Sequence, residues 1–443
     1  MDPTGKKEIL ALNAFAGAPG AALPLDVARL VERRQRSFGA TSVLFYARPL
    51  HVVHARGATL TTADGETFLD LYNNVPSVGH CHPKVVAAVR DQVGRLNIHT
   101  RYLFDVVHDY AERLLAHFPA PLTKVAFTCT GSESNDLALR LARRATGGTG
   151  VVVTQSAYHG NTAAVTEVSP SSYRTGGPPA FVRTVPPPHP AYYGADVAGG
   201  FAHAVRGAIA RMEADGHRFA ALLVDTIFSS DGVHADPPGV LAPAAAAARA
   251  AGGLLIADEV QPGFARTGTH MWGFARHCVV PDIVTLGKPM GNGMPLGGVV
   301  TRPGLLEDFA AAFGYFNTFG GNPVSSAAGL AVLDALAEDG LKDNALRVGA
   351  HIAARLADLR AACPAIGEVR GAGLYRGIDI VSPADGSPDP DGADALINAL
   401  RAAHILIGAA GPRGHTLKLR PPLCLSLEQA DQFVDALAAI LKR

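Results

Sequence analysis

The chain has 443 residues, 48% of them apolar, with 39 basic and 39 acidic side chains and therefore no formal net charge. That size supports one large domain with an appendage, or two domains, around a core big enough for a deep pocket. Balanced charge argues against nucleic acid or an anionic membrane surface as a partner, and no apolar run approaches the length of a membrane span.

At the start, Lys6 and Lys7 precede "ILALNAFAGAPGAALP", a loose imitation of a secretory signal that Asn13, Gly17 and Pro19 interrupt too early. Cys81, Cys129, Cys278, Cys363 and Cys424 are odd in number and lack C-x-x-C spacing. They argue against a disulfide framework or a structural zinc and fit a reducing cytoplasm.

Residues 50–72 read as a hairpin turning at Asp64-Gly65. In "GHCHP", His80, Cys81 and His82 invite a metal reading. Adjacent positions point apart on an extended backbone, and no second cluster completes a ligand set, so no metal is expected.

From about residue 120 to 300, seven short β-branched runs alternate with helix-compatible stretches. The runs are "KVAFTCT" (124–130), "VVVTQ" (151–155), "FVRTVP" (181–186), "ALLVD" (221–225), "LLIADE" (254–259), "IVTLGK" (283–288) and "GGVVTR" (297–302). Being continuous rather than alternating, they predict a mostly parallel sheet buried on both faces. "GSESNDLALRLARRA" and "PAAAAARAAGG" read as intervening helices, the second closed by glycine. Such βα units place ligands beyond the carboxyl ends of strands, so chemistry is sought just after each run.

Helix dominates from about 325 to 362, followed by strands in "LYRGIDIV", "ILIG" and "TLKLRPPL" and a last helix opened by Ser426 with Gln429 as a capping box. The expected division is a small α+β domain from residues 1–85 and 326–443, beside a large domain of residues 86–325.

Four strand exits carry chemistry. After the first run, Gly131 and Ser132 open a helix whose N–H groups suit a phosphate, although a plain helix cap looks the same. Tyr158 in "SAYHGNT" offers a ring for stacking, or a core aromatic. Asp258 and Glu259 end an apolar run in "LLIADEVQPGFARTG"; a carboxylate there needs a cation such as a protonated pyridine, or serves as a cap or ion pair. Lys288 leaves "DIVTLGKPMGNGMPLGG" beside bare glycines. A surface lysine is the plain alternative; a partly desolvated one has a lowered pKa and condenses with an aldehyde as a Schiff base.

In chain order these placements resemble the class III aminotransferases among the fold type I pyridoxal-phosphate enzymes, over roughly residues 34–441. The matching words are "VGHCHPKVVAAV", "TGSESNDLALRLAR", "AYHGNT", "IADEVQPGFARTG", "DIVTLGKPMGNGMPLGGVV", "FNTFGGNPVSSAAGLAVL" and "LKLRPPLCLS". The resemblance implies pyridoxal 5'-phosphate as cofactor, Lys288 as its Schiff-base lysine and proton shuttle, and Asp258 on the pyridine nitrogen. It places Gln261 near the ring hydroxyl, Val260 and Tyr158 on the ring faces, and Gly131 and Ser132 on the phosphate. It also implies a homodimer in which Thr318 reaches the phosphate of the neighbouring subunit's cofactor.

Arg420 matches the position that commonly grips a substrate carboxylate, the alternative being a surface arginine. Asp225 stands where many relatives carry a glutamate that holds this arginine when no carboxylate is present. Phe228 stands near a common glutamine, so the substrate pocket departs from the family's commonest form.

The expected reaction is transfer of an amino group from an ω-amino acid or primary amine to pyruvate or a similar keto acid. The alternative is a phospho-lyase reaction, because "YNNVPSVGHCHP", "GKPMGNG", "YFNTFGGNPVS" and "LKLRPPLCLS" especially resemble the subgroup holding the ethanolamine-phosphate phospho-lyases. His99 and Arg101 in "NIHTRYLFD" either bind a substrate phosphate or line a dimer contact.

Overall fold

The computed structural model of the chain describes residues 11–15, 17 and 23–442. Lys6 and Lys7, where the signal-like pattern opens, lie outside the described residues.

The segment around Asp64-Gly65 forms three antiparallel strands rather than one hairpin: β1 (Val52–Arg56), β2 (Thr59–Thr62) and β3 (Thr67–Asp70). Gly65, at φ 86°, makes the expected turn, and Gly57, at φ 57°, makes a second one that breaks the first run in two.

Each of the expected runs then becomes a strand of one sheet. These are β4 (Lys124–Thr128), β5 (Gly150–Thr154), β6 (Val182–Val185), β7 (Phe219–Asp225), β8 (Leu254–Asp258), β9 (Ile283–Leu286) and β10 (Gly297–Thr301). Their order is β4-β10-β9-β8-β7-β5-β6, with only β10 running against its neighbours. β5, β9 and β10 are buried at every residue, because helices cover both faces of the sheet. The helix Gly131–Thr146 is one of them. Its Thr130 side chain accepts from the Glu133 amide, and Gly147 closes it in the left-handed conformation.

Helices Pro323–Glu338 and Leu341–Ala362 lead to β11 (Ile366–Ala372), β12 (Tyr375–Ile380), β13 (Ile405–Leu406), β14 (Gly408–Ala410) and β15 (Thr416–Leu419). β13 lies parallel beside β3 and so joins the two ends of the chain in one sheet. The others form an antiparallel sheet in the order β11-β12-β15-β14. The last helix, Leu427–Leu441, opens with both hydrogen bonds of the Ser426/Gln429 capping box. Among the described residues, no helix is long and apolar enough to cross a membrane.

The architecture is thus the expected α/β one. Because every strand of the large sheet except β10 points the same way, the residues following β4, β5, β7, β8 and β9 gather along a single edge.

Candidate active site

Along that edge lies a cleft of about 350 Å³. β4 leads into it with Gly131 and Ser132, β5 with Tyr158, β7 with Asp225, β8 with Asp258, Val260 and Gln261, and β9 with Lys288.

The wall where these exits meet is bare backbone by necessity. A Cβ on Gly287 would lie 2.9 Å from the Gly131 amide nitrogen, one on Gly131 2.8 Å from Val260 Cγ2, and one on Gly160 2.5 Å from Ser132 Oγ. The opening N–H groups of the helix Gly131–Thr146 have no helical partner and stand at this wall, where the helix dipole favours an anion. The rest of the glycine-rich stretch is an anchor: Asn292 accepts from Val78 N at 3.0 Å and donates to Gly79 O at 2.9 Å.

Asp258 is fixed by three donors. Asn135 Nδ2 donates to its Oδ2 at 3.0 Å, His159 Nδ1 to the same oxygen at 2.8 Å, and Val260 N to Oδ1 at 3.0 Å. Thr285 Oγ1 donates to Asn135 Oδ1 at 2.7 Å, which turns the Asn135 amide nitrogen toward Asp258. His159 Nε2 is buried and has no hydrogen-bond partner among the described residues. Glu259 faces the other way, as a neighbour on a strand must. Its carboxylate accepts from Thr226 Oγ1 at 2.8 Å and from the amides of Gly273 and Phe274 at 2.7 and 2.8 Å, and burial pushes it up to about 7.

Lys288 adopts φ 25°, in the left-handed region that side chains rarely occupy. Burial, then the charge of Arg420, pushes its ammonium down to about 8, against the opposing pull of Asp258 and Asp225. Asp225 pairs with Asp258 across β7 and β8; burial and that neighbouring charge raise its carboxyl above the usual range.

Arg420 is buried, and the acid expected to hold it does not. Its Nη1 donates to Gln261 Oε1 at 2.8 Å and to Asn74 Oδ1 at 3.1 Å, and its guanidinium carbon lies 4.4 Å above the Tyr72 ring. Asp225 does not hold it. One methylene shorter than glutamate, Asp225 is satisfied by its own bend, accepting from Ile227 N, Ser229 N and Ser229 Oγ. Gln261 completes the relay, donating to Ser229 Oγ at 3.1 Å and accepting from Tyr375 Oη at 3.1 Å.

Phe228 also departs from expectation. It is buried, edge-on to Phe201 at 5.7 Å, and its φ of 51° turns the ring into the core while the next residue, Ser229, faces Gln261. Arg101 and Thr318 are exposed and lie outside this cleft; Arg101 stacks 4.0 Å over the Phe316 ring. His80 and His82, from the metal-like phrase, face two different carboxylates, Asp70 at 2.7 Å and Asp339 at 2.8 Å.

Sequence reasoning missed His159, Asn135, Ser229, Asn74 and Tyr375. The first two sit inside quoted motifs, beside Tyr158 and just after Ser132. Asn74 and Tyr375 also fall in quoted phrases and Ser229 follows Phe228, but what brings these three to the site is their contact with Gln261.

The model of the family "aminotransferase class-III" matches residues 45–441. The chain belongs to the class-III aminotransferases. It is 37% identical over 437 residues to an alanine–glyoxylate aminotransferase 2-like protein of Drosophila melanogaster, covering 94% of this chain and 88% of the relative. It is 35% identical over 459 residues to ethanolamine-phosphate phospho-lyase homolog 1 of Caenorhabditis elegans, covering 97% and 98%. A solved phospholyase from Arthrobacter, in complex with phosphoethanolamine, shares 43% identity and a TM-score of 0.90 over 93% of this chain and 99% of that one.

As a class-III aminotransferase, the chain is a pyridoxal-phosphate-dependent enzyme of fold type I. The cleft fits that cofactor. It combines a backbone cradle that no Cβ can enter, a helix N-terminus, a carboxylate locked by donors and a lysine with a depressed pKa.

A pH dependence follows. Only neutral Lys288 attacks an aldehyde, so the reactive fraction grows as pH rises through about 8. Reconstitution of the cofactor-free protein, timed by absorbance, is expected to accelerate up to about 8 and then level off. An inflexion near 10.5, the ordinary lysine value, would reject the depressed pKa.

Proposed function

We propose that this class-III aminotransferase eliminates phosphate from O-phosphoethanolamine or a closely related amino-alcohol phosphate. The observation that carries the reading is the state of Arg420, a buried cation whose hydrogen bonds among the described residues go to the neutral Asn74 and Gln261, the Asp70 carboxylate acting on it only through its field. An enzyme that alternates two substrates of different charge profits from an acid that covers this arginine between them. A fixed, uncovered cation suits one anionic substrate. The identity to the Arthrobacter phospholyase supports the same choice.

In this reading Gly131 and Ser132 hold the cofactor's phosphate, Tyr158 and Val260 flank its ring, Gln261 is assigned to the ring hydroxyl and Asp258 keeps a proton on the ring nitrogen. When bound, pyridoxal phosphate supplies an electron-withdrawing ring that acidifies the amine-bearing carbon. Lys288 Nζ, in its neutral form, takes the proton from that carbon. The freed electron pair forms a carbon–carbon double bond as the adjacent carbon–oxygen bond breaks and phosphate leaves with that bond's electrons. Lys288 returns its proton to the carbon that lost phosphate, and one water then releases the two-carbon fragment as aldehyde and ammonia, so no oxidant, reductant or second amine acceptor is needed. Arg420 orients the departing phosphate as a fork-shaped donor.

The proposal extends to the assembly. Tyr102, Leu103 and Phe319 are 62, 92 and 69% exposed. With Arg101 and Thr318 close to them in sequence, they suit a homodimer contact through which Thr318 completes a neighbouring site. The division into a small domain of residues 1–85 and 326–443 around a large one of 86–325 agrees with the pairing of β3 and β13. Five unpaired cysteines support a reducing compartment such as the cytoplasm.

Transamination is the second reading, favoured by the likeness to the Drosophila alanine–glyoxylate aminotransferase 2-like protein. Purified enzyme given phosphoethanolamine alone is expected to release inorganic phosphate. Alanine formed from an amine and pyruvate, without phosphate release in the first tube, would shift the assignment to amino transfer.

A further inference from the structure

Lys418 on β15 is 5% exposed, and among the described residues no hydrogen bond or ion pair reaches its side chain. Burial disfavours the charged form of such a side chain unless an anion meets it, and that anion would have to come from outside the isolated chain.

β15 shows where that partner would bind. Leu417 and Leu419 point into the apolar core, whereas Thr416, Lys418 and Arg420 alternate with them onto the opposite face. Thr416 Oγ1 on that face donates to Asp379 at 2.6 Å, and Arg420 donates to Gln261. The residues opposite Lys418 on both neighbouring strands are glycines, Gly377 and Gly408. A Cβ on Gly408 would meet the Tyr72 ring at 2.4 Å, so the aromatic that lies under Arg420 also closes in beside Lys418. The charges that the Lys418 ammonium feels are those of Arg420, Lys288 and Asp225, and burial with the two cations pushes it well below the usual lysine range.

We propose that Lys418 is a specificity-determining residue of the substrate's anion site, acting with Arg420 to hold a dianionic phosphate ester in preference to a monoanionic carboxylate. That the anion is a phosphate ester rests on the elimination reading above. One guanidinium fork satisfies the two oxygens of a carboxylate; a phosphate brings a third oxygen and a second charge, which a compact ammonium can take. Gln261 and Asp225 line the cleft in front of the two cations, and the incoming phosphate takes the Arg420 hydrogen bond that Gln261 now accepts. The dianion also offsets the mutual repulsion of Lys418 and Arg420.

The test is Lys418→Met, which keeps the length of the stem and removes the charge. The probe is 2-aminoethylphosphonate, which cannot lose phosphate, titrated into the holoenzyme by absorbance, with β-alanine as the carboxylate control. The phosphonate Kd is expected to rise about 10- to 100-fold, as for a lost charge-assisted hydrogen bond, with the β-alanine Kd nearly unchanged. Tm is expected to hold or rise, because among the described residues the Lys418 side chain makes no hydrogen bond or ion pair to lose. Unchanged phosphonate affinity, or an equal loss for both ligands, would overturn the assignment. Lys418→Gln carries the same comparison if the methionine variant folds poorly. Failure of the elimination reading would show separately, as absence of phosphate release by the wild type, and the binding comparison stands without turnover.

Discussion

Lys288→Ala is expected to leave a folded, cofactor-binding protein with turnover reduced by at least ~10⁴-fold, the upper range for loss of a positioned acid–base group. Among the described residues lining the cleft the lysine is Lys288, and burial holds its ammonium down to about 8. It makes no hydrogen bond among the described residues, so its removal breaks no native pair, and the circular dichroism and melting curve should change little. The Schiff-base absorbance should vanish while free cofactor remains bound at the Gly131 cradle. A variant that retains that absorbance would assign the linkage to another lysine and reject the proposed role. Added primary amines should restore some proton transfer but not the linkage.

The large sheet was legible because its strands are buried on both faces, which leaves an apolar, β-branched run in the sequence for every strand. Parallel topology then carried the site. Once the runs are strands of one parallel sheet, Gly131, Tyr158, Asp258 and Lys288 must converge, whatever their separation along the chain. The misreadings arose where a side chain's direction depends on local backbone rather than on the run. Phe228 and Ser229 differ by one position, and the left-handed φ of Phe228 turns its ring into the core and leaves Ser229 to meet Gln261. The extra turn at Gly57 likewise split one expected strand in two. Asn74 and Tyr375 reach Gln261 from 187 and 114 residues away, and no periodicity in the sequence encodes such contacts. Asp225 ends β7, but its reach is set by Ser229 and the bend that satisfy it, which the run alone does not reveal.

Asp258→Asn tests the other half of the electrostatic arrangement. Around the carboxylate, Asn135 Nδ2, His159 Nδ1 and Val260 N all donate, two to one oxygen and one to the other. An amide has one acceptor and one donor end, so either orientation sets its NH₂ against at least one of these donors. Thr285 prevents the simplest escape, because it holds the Asn135 amide with its nitrogen toward residue 258. That mismatch is expected to cost about 1–3 kcal/mol of stability, seen as a lower melting temperature. The catalytic loss should be larger and separable from it. Without the negative charge, the cofactor ring keeps its proton less well, and kcat is expected to fall about 10²- to 10³-fold, as when a preorganised group that stabilises developing charge is removed. Cofactor retention should persist, because the phosphate cradle and Lys288 are untouched, and KM should move less than kcat. If kcat were wild-type while only the melting temperature fell, Asp258 would be a structural acceptor for Asn135 and His159, and the ring nitrogen would need a different counter-charge.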